Sequence, residues 1–143
     1  MKRPPAPAQA GYSGTPLPKK LGLKPGQRVH FAGAPAGFVR SLGALPARSK
    51  LLRRPAAPLD FIHLFCDSRA ELDRKFPALA AALAPVGMLW VSWPKKASGV
   101  PTDLTEDRIR AAGLSLGLVD VKVCAVDAVW SGLKFVIPLS RRG

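Results

Sequence analysis

Strands that alternate with helices and close in a hairpin predict an α/β domain with a mostly parallel sheet and a C-terminal antiparallel pair. Two stretches carry most of that expectation. A turn at Pro25-Gly26 launches a strand over Arg28–Ala32, which runs into the glycine-spaced loop Gly33–Gly37. Open parallel sheets place ligands at the carboxyl ends of such strands. Leu59–Phe65 is a compact apolar run, the pattern of a strand covered on both faces.

The remaining elements follow in order. Residues 1–10 are rich in Pro and Ala and predict a disordered tail, leaving residues 11–143 as a single domain. Gly11–Lys20 has no hydrophobic period, and it reads equally as a lid over the sheet edge or as packing filler. Gly37–Leu42 reads as a short helix and Lys50–Arg53 as a short second strand. Ser68 stands three residues before Glu71, a capping-box spacing in which Ser accepts from the helix backbone and Glu reaches back. The helix is expected to run to Leu83 on a stripe of Leu72, Phe76, Leu79, Ala80 and Leu83, with Pro77 kinking or breaking it. Pro85-Val86-Gly87 then turns into a strand at Met88–Trp93. A polar loop spans Pro94–Asp103. Thr105 caps the next helix, Glu106 and Asp107 suit its dipole, and Gly117 closes it. Val119, Val121, Val123 and Ala125 alternate as one strand face. Trp130-Ser131-Gly132 is expected to turn into Leu133–Pro138.

Composition narrows the function classes. A hydrophobic content of 48% with 22% charged residues is that of a globular domain. Lys and Arg number 22 against nine acids, a net charge of +13. That surplus suits a nucleotide, a nucleic acid or an acidic membrane surface; the plainer reading is an Arg-rich solubilising surface. Cys66 and Cys124 each fall in an apolar run without ligand spacing, so buried reduced thiols are expected, and no metal site. No signal-peptide pattern opens the chain and no window is apolar enough to span a membrane, so a cytoplasmic protein is expected.

Three stretches resemble class I S-adenosylmethionine-dependent methyltransferases in the order that family carries them. Leu23–Gly37 is similar to the first motif, Leu59–Phe65 to the fourth strand, and Leu83–Leu89 to the Leu-x-Pro-Gly-Gly turn entering the fifth. The resemblance implies a Rossmann-like fold, and about 25 residues between the first and fourth strands imply a shortened one. It also implies S-adenosylmethionine as the cofactor, but the anchors differ. Phe31 stands at the family's acidic position, Pro35 at its central loop glycine, and Arg53-Arg54 where the ribose-binding acid belongs. Longer blocks resemble a small bacterial family, domain of unknown function 3052, which implies no particular reaction. They are Ala10–Leu17, Trp93–Gly99, Thr102–Thr105, Val123–Asp127 and Trp130–Leu133.

The loop Trp93–Asp103 is the leading candidate site, because paired lysines and a Ser-Gly turn leave a strand's carboxyl end over an aromatic root. Its plain alternative is a surface loop whose Thr and Asp cap a helix. Asp67 suits ligand contact by position and helix capping by type. His30 and His63 lie in apolar strands and read as hydrogen-bonded core residues. Trp130 reads as packing at a hairpin turn.

The missing acids favour a non-catalytic binding module for an anionic ligand, nucleotide or nucleic-acid phosphate, at the sheet's carboxyl edge. The alternative is a methyltransferase with an unorthodox cofactor site. The ligand-binding candidates are Gly33, Gly37, Asp67, Ser68, Trp93, Lys95, Lys96, Ser98, Gly99, Thr102 and Asp103. No catalytic residue is assigned, and a protein partner stays open.

Overall fold

The structure, a computed structural model, describes residues 15–142. The expected tail and the stretch around Tyr12 lie outside the described residues. The chain enters on α1 (Leu17–Leu21), a helix where no period was visible, closed by Gly22 at φ 91°. The Pro25-Gly26 turn leads into β1 (Arg28–Ala32), followed by α2 (Phe38–Ser41) and a two-residue β2 (Lys50–Leu51). Then come β3 (Leu59–Phe65), α3 (Arg69–Ala81), β4 (Leu83–Pro94), α4 (Glu106–Ser115), β5 (Val119–Ala125) and β6 (Trp130–Val136).

The six strands form one sheet in the order β2-β1-β3-β4-β6-β5. The first four are parallel, and β6 returns antiparallel between β4 and β5. The chain leaves β1 first to one side and then to the other, so the order reverses between β1 and β3. That reversal opens a crevice at the strands' carboxyl ends.

Both faces are covered. Under α3 and α4 lie Ile62, Leu64, Phe76, Ile109 and Phe135; under α1 and α2 lie Val29, Phe61, Phe65 and Trp90. The second face has only two very short helices, so aromatic side chains supply much of its bulk.

Four expectations need correction. The helix α3 stops at Ala81 and stays continuous through Pro77. Pro77 and Asp73, whose carbonyl loses its bond, are both exposed, so water can replace the missing donor. Pro85-Val86-Gly87 is no separate turn but an irregularity within β4, where pairing jumps from Leu59↔Leu83 to Phe61↔Met88. A Cβ at Gly87 would stand 2.8 Å from the Leu59 carbonyl, so the residue lets the strands close again. A bulge between Asp120 and Lys122 interrupts the expected Val alternation, leaving Val121 and Val123 exposed. The hairpin turn precedes Trp130, because Asp127 Oδ1 accepts from the amides of Val129 and Trp130 at 2.8 Å each. Trp130 therefore opens β6.

Gly113 in α4 shows how tightly that face is packed, since a Cβ there would collide with the Phe135 ring. Gly113→Ala is expected to lose about 1–3 kcal/mol despite alanine's better helix propensity. Urea melts of the two proteins check this.

Candidate functional site

Three parallel strands deliver their carboxyl ends to one edge, and the loops leaving them are tied together. After β3, Asp67 is exposed and Ser68 Oγ accepts from the Glu71 amide at 3.2 Å. Glu71 does not reach back as the capping box predicts; its carboxylate turns to Arg74 and to Lys75 at 3.4 Å. The crossover after β4 supplies the rest. Asp103 Oδ1 accepts from the Arg69 amide at 2.8 Å, and Thr102 Oγ1 donates to the Asp67 carbonyl at 2.7 Å. Ser68, Thr102 and Asp103 thus fasten two loops, and Ser68 and Asp103 satisfy the Glu71 and Arg69 amides at the start of α3. Capping falls to Ser68 and Asp103, and the Asp67 side chain takes no part in it.

Behind that seam lies a cavity of about 640 Å³, lined by Trp93, Lys95, Lys96, Gly99, Thr102 and Ser131 among others. It falls within the size range of small-molecule sites, roughly 300–1,000 Å³. Trp93 is buried beneath it. The Lys95 amide donates to Val129 O at 2.8 Å, pinning the loop to the β5–β6 turn. A short 3-10 turn, Lys96–Ser98, ends at Gly99 with φ 76°. Ser98 Oγ accepts from the Val100 amide at 3.1 Å and closes the loop on itself. Among the described residues, Lys95 and Lys96 form no ion pair. Glu106 also lines the cavity, but Arg110 holds its carboxylate at 2.5 Å. Arg110 also hydrogen-bonds Asp120 and keeps that carboxyl below the usual range. The two lysines thus leave the cavity's charge balance positive.

The expected glycine loop reaches the same edge without lining this cavity. Gly33 and Gly37 have φ of 69° and 81°. A Cβ at Gly33 would stand 2.6 Å from the Phe65 carbonyl, so the loop is pressed onto the end of β3. Beside it run packed rings. Phe31 lies 6.1 Å from Phe38, Phe38 lies 4.8 Å from Phe65, and Phe65 lies 5.1 Å from Trp130, centroid to centroid. His63 stacks on Phe65 at 4.1 Å and pairs with Ser92 Oγ at 2.7 Å. Burial lowers its pKa from 6.5 to about 3. His30 Nδ1 is 2.9 Å from Leu52 O. Both histidines sit in the core as the sequence predicts. Both cysteines are buried free thiols, and burial pushes Cys66 up to about 12, aided by Glu71 and Asp67.

Ser131 and Glu106 had no signal in the sequence as lining residues. Pairing of Trp93 with Ser131 across β4–β6 brings the first into place, and the packing of α4 brings the second.

S-adenosylmethionine, the cofactor this type of sheet implies, does not fit these residues in the usual way. Phe31 is packed against His63 where a carboxylate would serve, and Arg53 and Arg54 follow the second strand. Pro35 offers no amide to the loop.

No protein-family model matches the chain, and no curated protein matches it. Solved structures do. A SAM-dependent methyltransferase from Aquifex aeolicus superposes with TM-score 0.64 at 18% identity, over 84% of this chain and 87% of that one. The fibrillarin pre-rRNA processing protein of Methanococcus jannaschii gives 0.61 at 11% identity, over 89% and 70%. Magnesium protoporphyrin IX methyltransferase from Synechocystis PCC 6803, with SAM bound, gives 0.57 at 15% identity, over 85% and 74%. Identities this low establish architecture alone. The chain has the class I SAM-dependent methyltransferase fold, shortened between its second and third strands.

Proposed function

We propose that this protein is an S-adenosylmethionine-dependent methyltransferase with an unorthodox donor site, which takes an anionic acceptor in the cavity under the Trp93–Asp103 loop. The observation that carries this reading is the position of that cavity. It opens at the carboxyl end of β4, on the edge where the glycine loop ends β1, in a sheet with the methyltransferase strand order. The solved methyltransferases that share the fold support it. Lys95 and Lys96 supply charge for the acceptor, Gly99 gives close backbone approach, and Trp93 forms a rigid floor. Gly33, Gly37 and Asp67 stand nearest the place such sheets give the donor.

Calorimetry and thermal shift with S-adenosylmethionine and its demethylated product test this directly. Binding of either, with little salt dependence, is expected. At about 100-fold above Kd a ligand of the folded state adds roughly 2.7 kcal/mol, a readily seen shift. Silence with both, alongside a response to nucleotides, would overturn the enzyme reading. The remaining reading is then a non-catalytic module for an anionic ligand in the same cavity, favoured by the missing acids at Phe31 and Arg53.

The double change Lys95→Ala, Lys96→Ala is expected to weaken any anionic ligand of this cavity at least tenfold. Among the described residues neither side chain is in an ion pair, so stability should move by about 0.5 kcal/mol or less. Retained affinity in a folded double variant would remove the cavity from either reading. We also propose membership of the family catalogued as domain of unknown function 3052, on the sequence blocks given above. Among the described residues no helix is long and apolar enough to cross a membrane; a cytoplasmic location is part of the proposal.

A further inference from the structure

On the α1 side of the sheet four lysines converge. Asp60 shares a hollow with Lys24, but its carboxylate accepts from the Arg28 amide and forms no ion pair among the described residues. Lys122 and Lys134 are direct register partners on the antiparallel β5 and β6. Paired residues project to the same face, and like charges placed directly opposite destabilise a sheet. Lys20 joins them from α1, with its Nζ 3.4 Å from Ala125 O, while Lys122 Nζ lies 3.4 Å from Lys20 O. Lys24 completes the group just beyond α1. Among the described residues none of the four is in an ion pair. Lys134 Nζ reaches the bend at Gly22, and its pKa is lowered by burial and then by Lys122 and Lys24. The carbonyls of Lys20 and Ala125 offset a little of this repulsion and neutralise none of it.

A cluster of like charges with no ion-pair partner among the described residues is the arrangement an external anion would complete. The wider charge distribution says which kind. The first 59 residues hold eleven of the 22 Lys and Arg and none of the nine acids. The acids of α3 and α4 (Glu71, Asp73, Glu106 and Asp107) lie across the sheet and are paired there with Arg and Lys. The side of α3 and α4 is thus nearly balanced, while the α1 side carries the four lysines, none of them in an ion pair among the described residues. Four lysines drawn from α1, the segment after it and two adjacent strands suit a polymer of phosphates better than a single small anion.

We propose that the α1 face, centred on Lys20, Lys24, Lys122 and Lys134, docks the phosphate backbone of a nucleic acid. This surface is separate from the cavity under the Trp93–Asp103 loop and does not depend on what that cavity holds. The backbone of a single strand lies along α1 and the β5–β6 ribbon. Few aromatics are exposed there, so contact is through charge and sequence preference is weak.

The test is fluorescence anisotropy with a labelled single-stranded RNA of mixed sequence, read from about 50 to 200 mM KCl. Binding by the unaltered protein should weaken steeply with salt. The double variant Lys122→Gln, Lys134→Met should bind at least tenfold more weakly. Two phosphate contacts fewer should lower the log–log salt slope by about 1.4 for a single strand. Its thermal midpoint should hold or rise, because a like-charge pair has gone. Arg69→Gln with Arg74→Gln removes the same net charge from the far side and should leave affinity and slope near those of the unaltered protein. Equal weakening in both double variants would reduce the effect to net charge and overturn the assigned surface. An unchanged slope in the folded Lys122, Lys134 variant overturns it too. Stabilisation by inorganic tripolyphosphate without RNA binding would overturn the nucleic-acid assignment.

Discussion

Lowering the pH from 7 to 5 is expected to cost this fold about 2 kcal/mol through His63 alone. The ring is fully buried on β3 among Phe31, Phe38, Phe61, Phe65 and Trp90. Burial lowers its pKa from 6.5 to about 3. Nε2 is engaged with Ser92 Oγ at 2.7 Å and Nδ1 has no partner among the described residues. The neutral tautomer with the proton on Nε2 leaves only an acceptor lone pair unsatisfied, and protonation would bury a second donor with nowhere to point it. The folded pKa lies below the unfolded one, so the unfolded chain takes up the proton first. Stability is therefore full above pH 6.5 and falls as the pH drops from there toward 3. Urea denaturation at pH 7 and pH 5 measures the difference. The double variant His63→Leu, Ser92→Ala removes the titrating group and its partner together, leaving no orphaned hydroxyl. Its stability should change less over the same interval. An identical pH dependence in that variant would show that some other group carries the effect.

Trp90→Ala is expected to cost about 3–5 kcal/mol, the range for removing a large aromatic from a packed core. Trp90 is fully buried at the centre of the α1 face, and its Nε1 donates to Leu21 O at 2.8 Å. The ring therefore carries two loads. It fills the core that two short helices cannot fill, and it ties the last turn of α1 to the sheet. Trp90→Phe separates them, since most of the ring remains and the donor goes. That change leaves the Leu21 carbonyl without its partner and should cost about 1–3 kcal/mol. Hydrogen exchange should show the amides that close α1, those of Gly22 and Leu23, losing protection first in the Phe variant. A loss below 1 kcal/mol in Trp90→Ala would mean that α1 and its face fold around the cavity. The Trp90 side of the sheet would then contribute little to the global stability.

The strands that sequence located best are those whose signal is local. Arg28–Ala32 and Leu59–Phe65 match their expected bounds. A turn of Pro and Gly, or a run of apolar β-formers between polar stops, is a property of neighbouring residues. Ser68 and Thr105 were legible as helix caps for the same reason, and each side chain accepts the amide three residues on. The cluster of Trp93, Lys95, Lys96, Gly99 and Thr102 was legible as one loop at one strand end. The structure does gather those residues around a cavity.

The errors share a different cause. β4 begins at Leu83 because Leu83 can pair with Leu59, a contact that Pro85 and Val86 conceal in the sequence. The bulge in β5 and the start of β6 at Trp130 were likewise decided by cross-strand register and by one Asp127 side chain. The capping box lost its second half because Arg74 and Lys75 hold Glu71 more strongly than the Ser68 amide could.

Sequence by itself determined the class of fold, the order of the elements and the basic, acid-free character of the first 59 residues. Each of these depends on residues near one another in the chain, or on composition alone. Tertiary structure alone decided that Ser131 faces Trp93 across the cavity edge, that Gly33 is pressed onto Phe65, and that Lys122 stands opposite Lys134. Such juxtapositions are set by strand register and by packing over long separations. A shift of one residue would turn each side chain to the other face, and no local pattern records which register the core will choose.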